Sequence, residues 1–128
     1  MVSTPYYTAS QLVLKALSKL GVLAAGQTVS PEDFNQINDS LDAIFRKLGA
    51  LEIVYVADPD NIPGEWFLDL AAIIAGENAT DFGSSADFIG PLISAGLGSP
   101  PGSGTAAISL KIMNRGRPTY EAQRTDSY

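Results

Sequence analysis

The chain has 128 residues with 14 acids against 8 bases, a net charge of −6, and neither cysteine nor histidine. Disulfide staples, thiolate chemistry, Cys/His zinc sites and a histidine general base are therefore excluded. The length predicts one domain with a modest core, and neither a signal peptide nor an apolar run of about 20 residues is read, so a soluble, cytoplasmically made protein is expected.

The chain opens on a loose MVSTPYY. Thr8 then starts a first helix, with Gln11 three residues on completing a capping box. Leu12, Val13, Ala16, Leu17 and Leu20 form its apolar face, and Gly21 ends it. The strongest local signal follows, Ser30 to Leu48. Ser30 caps, Pro31 suits the first helical position, and Glu32 and Asp33 place negative charge at the positive end of the dipole. Phe34, Ile37, Leu41, Ile44, Phe45 and Leu48 recur every three or four residues, while Asn35, Asp39 and Asp42 fall on the far side. Gly49 is expected to close this helix in the left-handed conformation. Arg46 and Lys47, both at its end, are too few bases for a DNA-reading helix.

Alternation in ALEIVYV predicts an extended segment over 51–56. The link ADPDNIPG fails as a calcium loop because its fifth position is Ile62. A third helix is predicted over 63–79. Between Trp66 and Gly76 it carries only Asp69 as a charge, so it is apolar nearly all round. It reads either as the central helix of a monomeric bundle or as a helix partly covered by another copy. In the second case Trp66, Phe67, Ala72, Ala75 and Gly76 are the candidates for subunit packing.

Ser84 or Ser85 is expected to cap a short helix bent near Gly90–Pro91, residues 96–104 read as a flexible Gly/Pro-rich link, and Thr105 is expected to cap a last helix. The link lacks the GK[ST] of a phosphate loop. Residues 1–114 thus make a body and 115–128 an extended docking arm carrying Arg115, Arg117, Pro118, Tyr120, Arg124 and Tyr128. Charge divides similarly: residues 1–110 hold twelve acids and four bases, residues 111–128 two acids and four bases. An acidic body argues against gripping nucleic-acid phosphates. The Asn-x-Ser/Thr triplets at Asn38 and Asn78 lie in predicted helices and read as chance.

The order of these motifs resembles that of the head-to-tail adaptor proteins of short-tailed phages, the tail accessory or DNA-stabilising factors. Leu20–Ala24, Ile37–Asn38 and Leu41 match the family's first two helices. Pro63, Glu65, Leu70 and Ala71 match its third, and Arg117–Glu121 with Asp126–Tyr128 match its terminal arm. Two departures stand out: the stretch 96–104 looks inserted, and the late aromatic of the second helix is Phe45.

The resemblance implies an all-α bundle of about four helices with an extended C-terminal arm and one short extended segment. It implies a structural virion protein at the head–tail junction, made in the host bacterial cytoplasm, with no enzymatic activity, cofactor, metal or membrane. The partners implied are the portal protein, the tail nozzle or hub, neighbouring copies in a ring of twelve, and double-stranded DNA passing through without sequence recognition. The rival readings are a virion-borne cell-wall hydrolase, which needs two carboxylates facing one cleft, and a monomeric helical protein-binding module.

Overall fold

In the computed structural model, which describes residues 6–21, 26, 28–83 and 86–115, the first helix starts where its capping residues dictate. Thr8 Oγ1 accepts from the Gln11 amide at 3.2 Å, and Gln11 Oε1 accepts from the Thr8 amide at 2.8 Å. Helix α1 (Ala9–Lys19) then buries Leu12, Val13, Ala16 and Leu17, as the spacing predicts. The residues just before it are less loose than their sequence suggests. Strand β1 (Tyr6–Tyr7) pairs antiparallel with β2 (Ile62–Pro63), Tyr7 opposite Ile62. Two-residue strands are too short to carry a period, so no pattern announces them.

The expected single helix over 30–48 is two: α2 (Pro31–Asn38) and α3 (Leu41–Ala50). Ser30 Oγ accepts from the Asp33 amide at 3.1 Å, so the start is as read. The break falls at Asn38-Asp39-Ser40, three residue types that compete for backbone hydrogen bonds. The Ser40 amide donates to Ile37 O at 2.9 Å, a three-residue step, and its hydroxyl donates to the same carbonyl at 2.7 Å. The backbone of Asp39 and Ser40 nevertheless stays right-handed helical. The apolar stripe therefore crosses the break in phase, with Ile37, Leu41, Ile44, Phe45 and Leu48 buried and Asn35, Asp39 and Asp42 exposed.

Gly49 does not close α3. It lies inside the helix, and Glu52 takes the left-handed position at φ +59°. The Ile53 amide donates to Leu48 O and the Glu52 amide to Gly49 O, both at 3.0 Å, the bond pair of a Schellman termination. This turn replaces the extended segment expected over 51–56. Ile53 and Val54 are consecutive and both buried, so their apolarity serves the core and not a strand's two faces.

Helix α4 (Gly64–Asn78) is the hub, packing against α1, α3, both strands and the two helices that follow it. Leu70, Ala71, Ile73, Ile74, Ala75 and Gly76 are buried along it, which accounts for a sequence apolar nearly all round. Helix α5 (Ala86–Ala95) runs unbroken through Gly90 and Pro91. Residues 84–85, the expected caps, lie outside the described residues.

The stretch 96–104, expected as a flexible link, folds into hydrogen-bonded turns. Gly98 N donates to Ile93 O at 2.7 Å, and the amides of Gly102 and Gly104 both donate to Leu97 O, at 2.8 and 2.9 Å. Its glycines permit close approach: a Cβ on Gly96 would sit 2.7 Å from Ala72 O, and one on Gly98 would collide with Gly104 N. Gly104, not Thr105, precedes the last helix, α6 (Thr105–Arg115), its carbonyl accepting from Ile108 N at 2.9 Å. Among the described residues the protein is thus a helical bundle of six helices with one minimal ladder. The two beyond the expected four come from the interrupted second helix and from α5 forming a full element. No helix among the described residues is long and apolar enough to cross a membrane.

Candidate functional site

The five residues proposed for packing between subunits separate into two groups. Ala75 and Gly76 are buried inside the chain. A Cβ on Gly76 would lie 2.8 Å from Leu92 O and 3.3 Å from Ile93 Cα, so its lack of a side chain lets α5 cross α4 closely. That use within one chain takes both residues off the surface as subunit contacts. Ala72 is half-buried beneath the turn at Gly96. Trp66 and Phe67 are half-buried at the start of α4. Phe67 stacks on Tyr7 with ring centroids 4.1 Å apart and 25° between planes, which fastens β1 to α4. The Trp66 indole Nε1 is buried without an acceptor among the described residues.

Exposed apolar surface lies elsewhere. Phe88 on α5 is 65 % exposed, Ile108 and Ile112 on α6 are 45 % and 55 % exposed, and Leu68 on α4 is 56 % exposed. Ile108 and Ile112 stand four apart, on one face of α6 away from buried Ala106, Ala107 and Leu110. That second stripe was readable in the sequence. It escapes notice because a single helix with two apolar faces looks merely hydrophobic.

Of the arm residues, Arg115 is the last residue of α6, and Arg117, Pro118, Tyr120, Arg124 and Tyr128 lie outside the described residues.

Two surface depressions flank α3. The smaller, about 180 Å³, lies between α3 and the end of α4, where Lys47 Nζ donates to Glu77 Oε1 at 2.9 Å. At its base Asn78 is 2 % exposed. Its amide donates to Ile74 O at 2.9 Å and to Ser40 Oγ at 3.3 Å, tying α4 to the break before α3. So engaged, Asn78 is no glycan acceptor. The larger depression, about 650 Å³, is an open groove between the outer face of α3 and the loop after it. Phe45, Gly49, Ala50, Tyr55, Val56 and Pro59 line it, and the Asp42–Arg46 pair, 2.8 Å apart, stands at its side.

Electrostatics around the loop 58–61 come from local hydrogen bonds. The Asp60 amide at 3.0 Å and the Asn61 side-chain amide at 2.8 Å hold the Asp58 carboxyl below its ordinary 3.8. Both donors favour the charged form, which makes Asp58 a fixed negative charge and a poor general acid. Asp60 Oδ1 accepts from the Ala9 amide at 3.2 Å, so this loop also braces the start of α1. Among the described residues no three His, Cys, Asp or Glu side chains converge to hold a metal ion.

No protein-family model matches the chain, and neither the curated proteins nor the solved structures provide a match.

Proposed function

We propose that this protein is a structural head-to-tail adaptor of a phage virion, assembled as a ring beneath the portal, with no enzymatic role. The observation that carries the reading is the position of the exposed apolar surface. Phe88, Ile108 and Ile112 stand on the last two helices, and α6 leads directly into the Arg- and Tyr-bearing end of the chain. Arg and Tyr are enriched at binding hot spots, and apolar residues left on helices that lead to them suit a surface completed by other proteins.

The charge division supports the same reading. An acidic body lets DNA slide past without sticking, whereas the basic end is suited to a partner's carboxylates. The motif order resembling the adaptor family supplies the rest: a ring of twelve on the portal, the tail nozzle or hub below, and a channel that helps retain the packaged genome. The test is co-sedimentation with purified portal. Deleting residues 115–128 is expected to leave the helical signal and melting of the body nearly unchanged while abolishing attachment. Full attachment by the truncated chain contradicts the role given to the arm.

A further inference from the structure

Helices α5 and α6 each carry a second seam besides the face that packs on α4. On α5, Phe88, Pro91 and Ala95 recur at steps of three and four and are all exposed, with exposed Gly90 and Ser94 beside them. On α6, Thr105, Ile108 and Ile112 recur in the same way and are exposed. Steps of three and four are the spacing at which one helix seats its side chains into another. The two seams differ in shape: α5 offers one large ring on a surface of small residues, and α6 two branched side chains one turn apart. They differ in charge as well. Asp87 is the one charged residue of α5, whereas α6 carries Lys111 and Arg115 and no acid. Asp87 is exposed and Lys111 half-buried, and neither makes an ion pair among the described residues, whereas Arg46 and Lys47 are both paired.

We infer that α5 of one copy packs on α6 of a second copy, with Phe88 entering between Ile108 and Ile112 and Asp87 meeting Lys111. Side chains four apart on a helix leave about 5–6 Å between their Cβ atoms, a hollow that a flat ring fills. Around Phe88 the short side chains of Gly90, Ser94 and Ala95 do not hold the partner helix away. The charges at the contact are opposite, although the chain as a whole is acidic.

Within one chain each helix uses its other face on α4, through Ala106, Ala107 and Leu110 on α6 and the crossing at Gly76 on α5. The outer seams therefore meet only between copies. Such a contact joins different surfaces of the two copies, the head-to-tail kind that makes a ring when the rotation closes. One helix pair covers far less than the roughly 1,600 Å² of a stable complex, so association in solution emerges only well above micromolar concentration.

This pairing rests on the adaptor reading in taking the face as one completed by other chains, and it names the chain. Its tests contain no portal, so its failure and a failure of portal attachment are told apart. Sedimentation of the full chain over rising concentration is expected to show reversible self-association. Phe88→Ala, which removes an exposed ring, is expected to weaken it about tenfold or more while the melt stays nearly unchanged. Asp87→Lys and Lys111→Asp are each expected to weaken it about tenfold, and the chain carrying both to recover it. Asp87→Lys makes the chain less acidic, so it would strengthen association if net charge alone governed the process. Because the chain has no cysteine, Asp87→Cys and Lys111→Cys chains can be mixed and joined by a short thiol cross-linker without background. Their mixed dimer is expected about tenfold in excess over that of Tyr55→Cys with Lys111→Cys, Tyr55 being as exposed but on the loop after α3. The pairing is overturned if the parent stays monomeric throughout, if Phe88→Ala associates like the parent, if Asp87→Lys strengthens association, or if the cross-link matches the Tyr55 control.

Discussion

Glu52 holds the least comfortable backbone in the described chain. It occupies the left-handed C′ position of α3 at φ +59°, where a side chain costs about 1–2 kcal/mol that glycine avoids. Its side chain is exposed, so nothing is lost from the core on replacing it. Glu52→Gly is therefore expected to stabilise the protein by about 1 kcal/mol, read as a rise in the urea midpoint at constant slope. Gly76 is the opposite case. A methyl group there meets Leu92 O, a backbone atom that cannot rotate away, so Gly76→Ala is expected to cost about 1–3 kcal/mol despite its better helix propensity. Asp58 sets a pH dependence. Its folded-state value lies below the ordinary 3.8, so its contribution is fully present above that pH and is lost as pH falls through the depressed value. Asp58→Asn should accordingly lower stability slightly at neutral pH, where the charged carboxylate contributes, and converge with the parent as pH falls through the depressed value.

At the scale of elements, the phase of the α2–α3 stripe makes the sharpest claim. Leu41 is 5 % exposed whereas Asp39, two residues away, faces water. Leu41→Ala is expected to cost about 2–5 kcal/mol and Asp39→Ala under about 0.5 kcal/mol in thermal or urea melts. Equal losses would mean that the stripe is misassigned. The two positions also show what the sequence discloses. Helical period, the Thr8 and Ser30 caps and the burial of α4 were legible because each is a local pattern repeated over several residues. The break at Ser40 was not, since the right-handed backbone and the apolar stripe run through it in phase and leave the period unbroken. Nor was the order of the 96–104 turn: glycine composition reads the same whether it serves freedom or close approach, and only the contact with Ala72 decides. Of the candidate site, Ala75 and Gly76 were misread for a similar reason: both are buried within the chain, and the missing side chain of Gly76 answers to α5. Ile108 and Ile112 could have been found by plotting both faces of α6.

For the whole molecule, charge and apolar surface pull in different directions. An acidic body disfavours like-charged copies at low salt, while Phe88, Ile108 and Ile112 leave apolar area uncovered. The balance expected is a protein largely monomeric at micromolar concentration that assembles when a partner supplies a template. The direct measurement is the mass of the full-length protein in solution, alone and with purified portal. The account predicts a monomer alone and a ring of twelve copies on the portal. A monomer in both samples, with no portal-bound species, would contradict it.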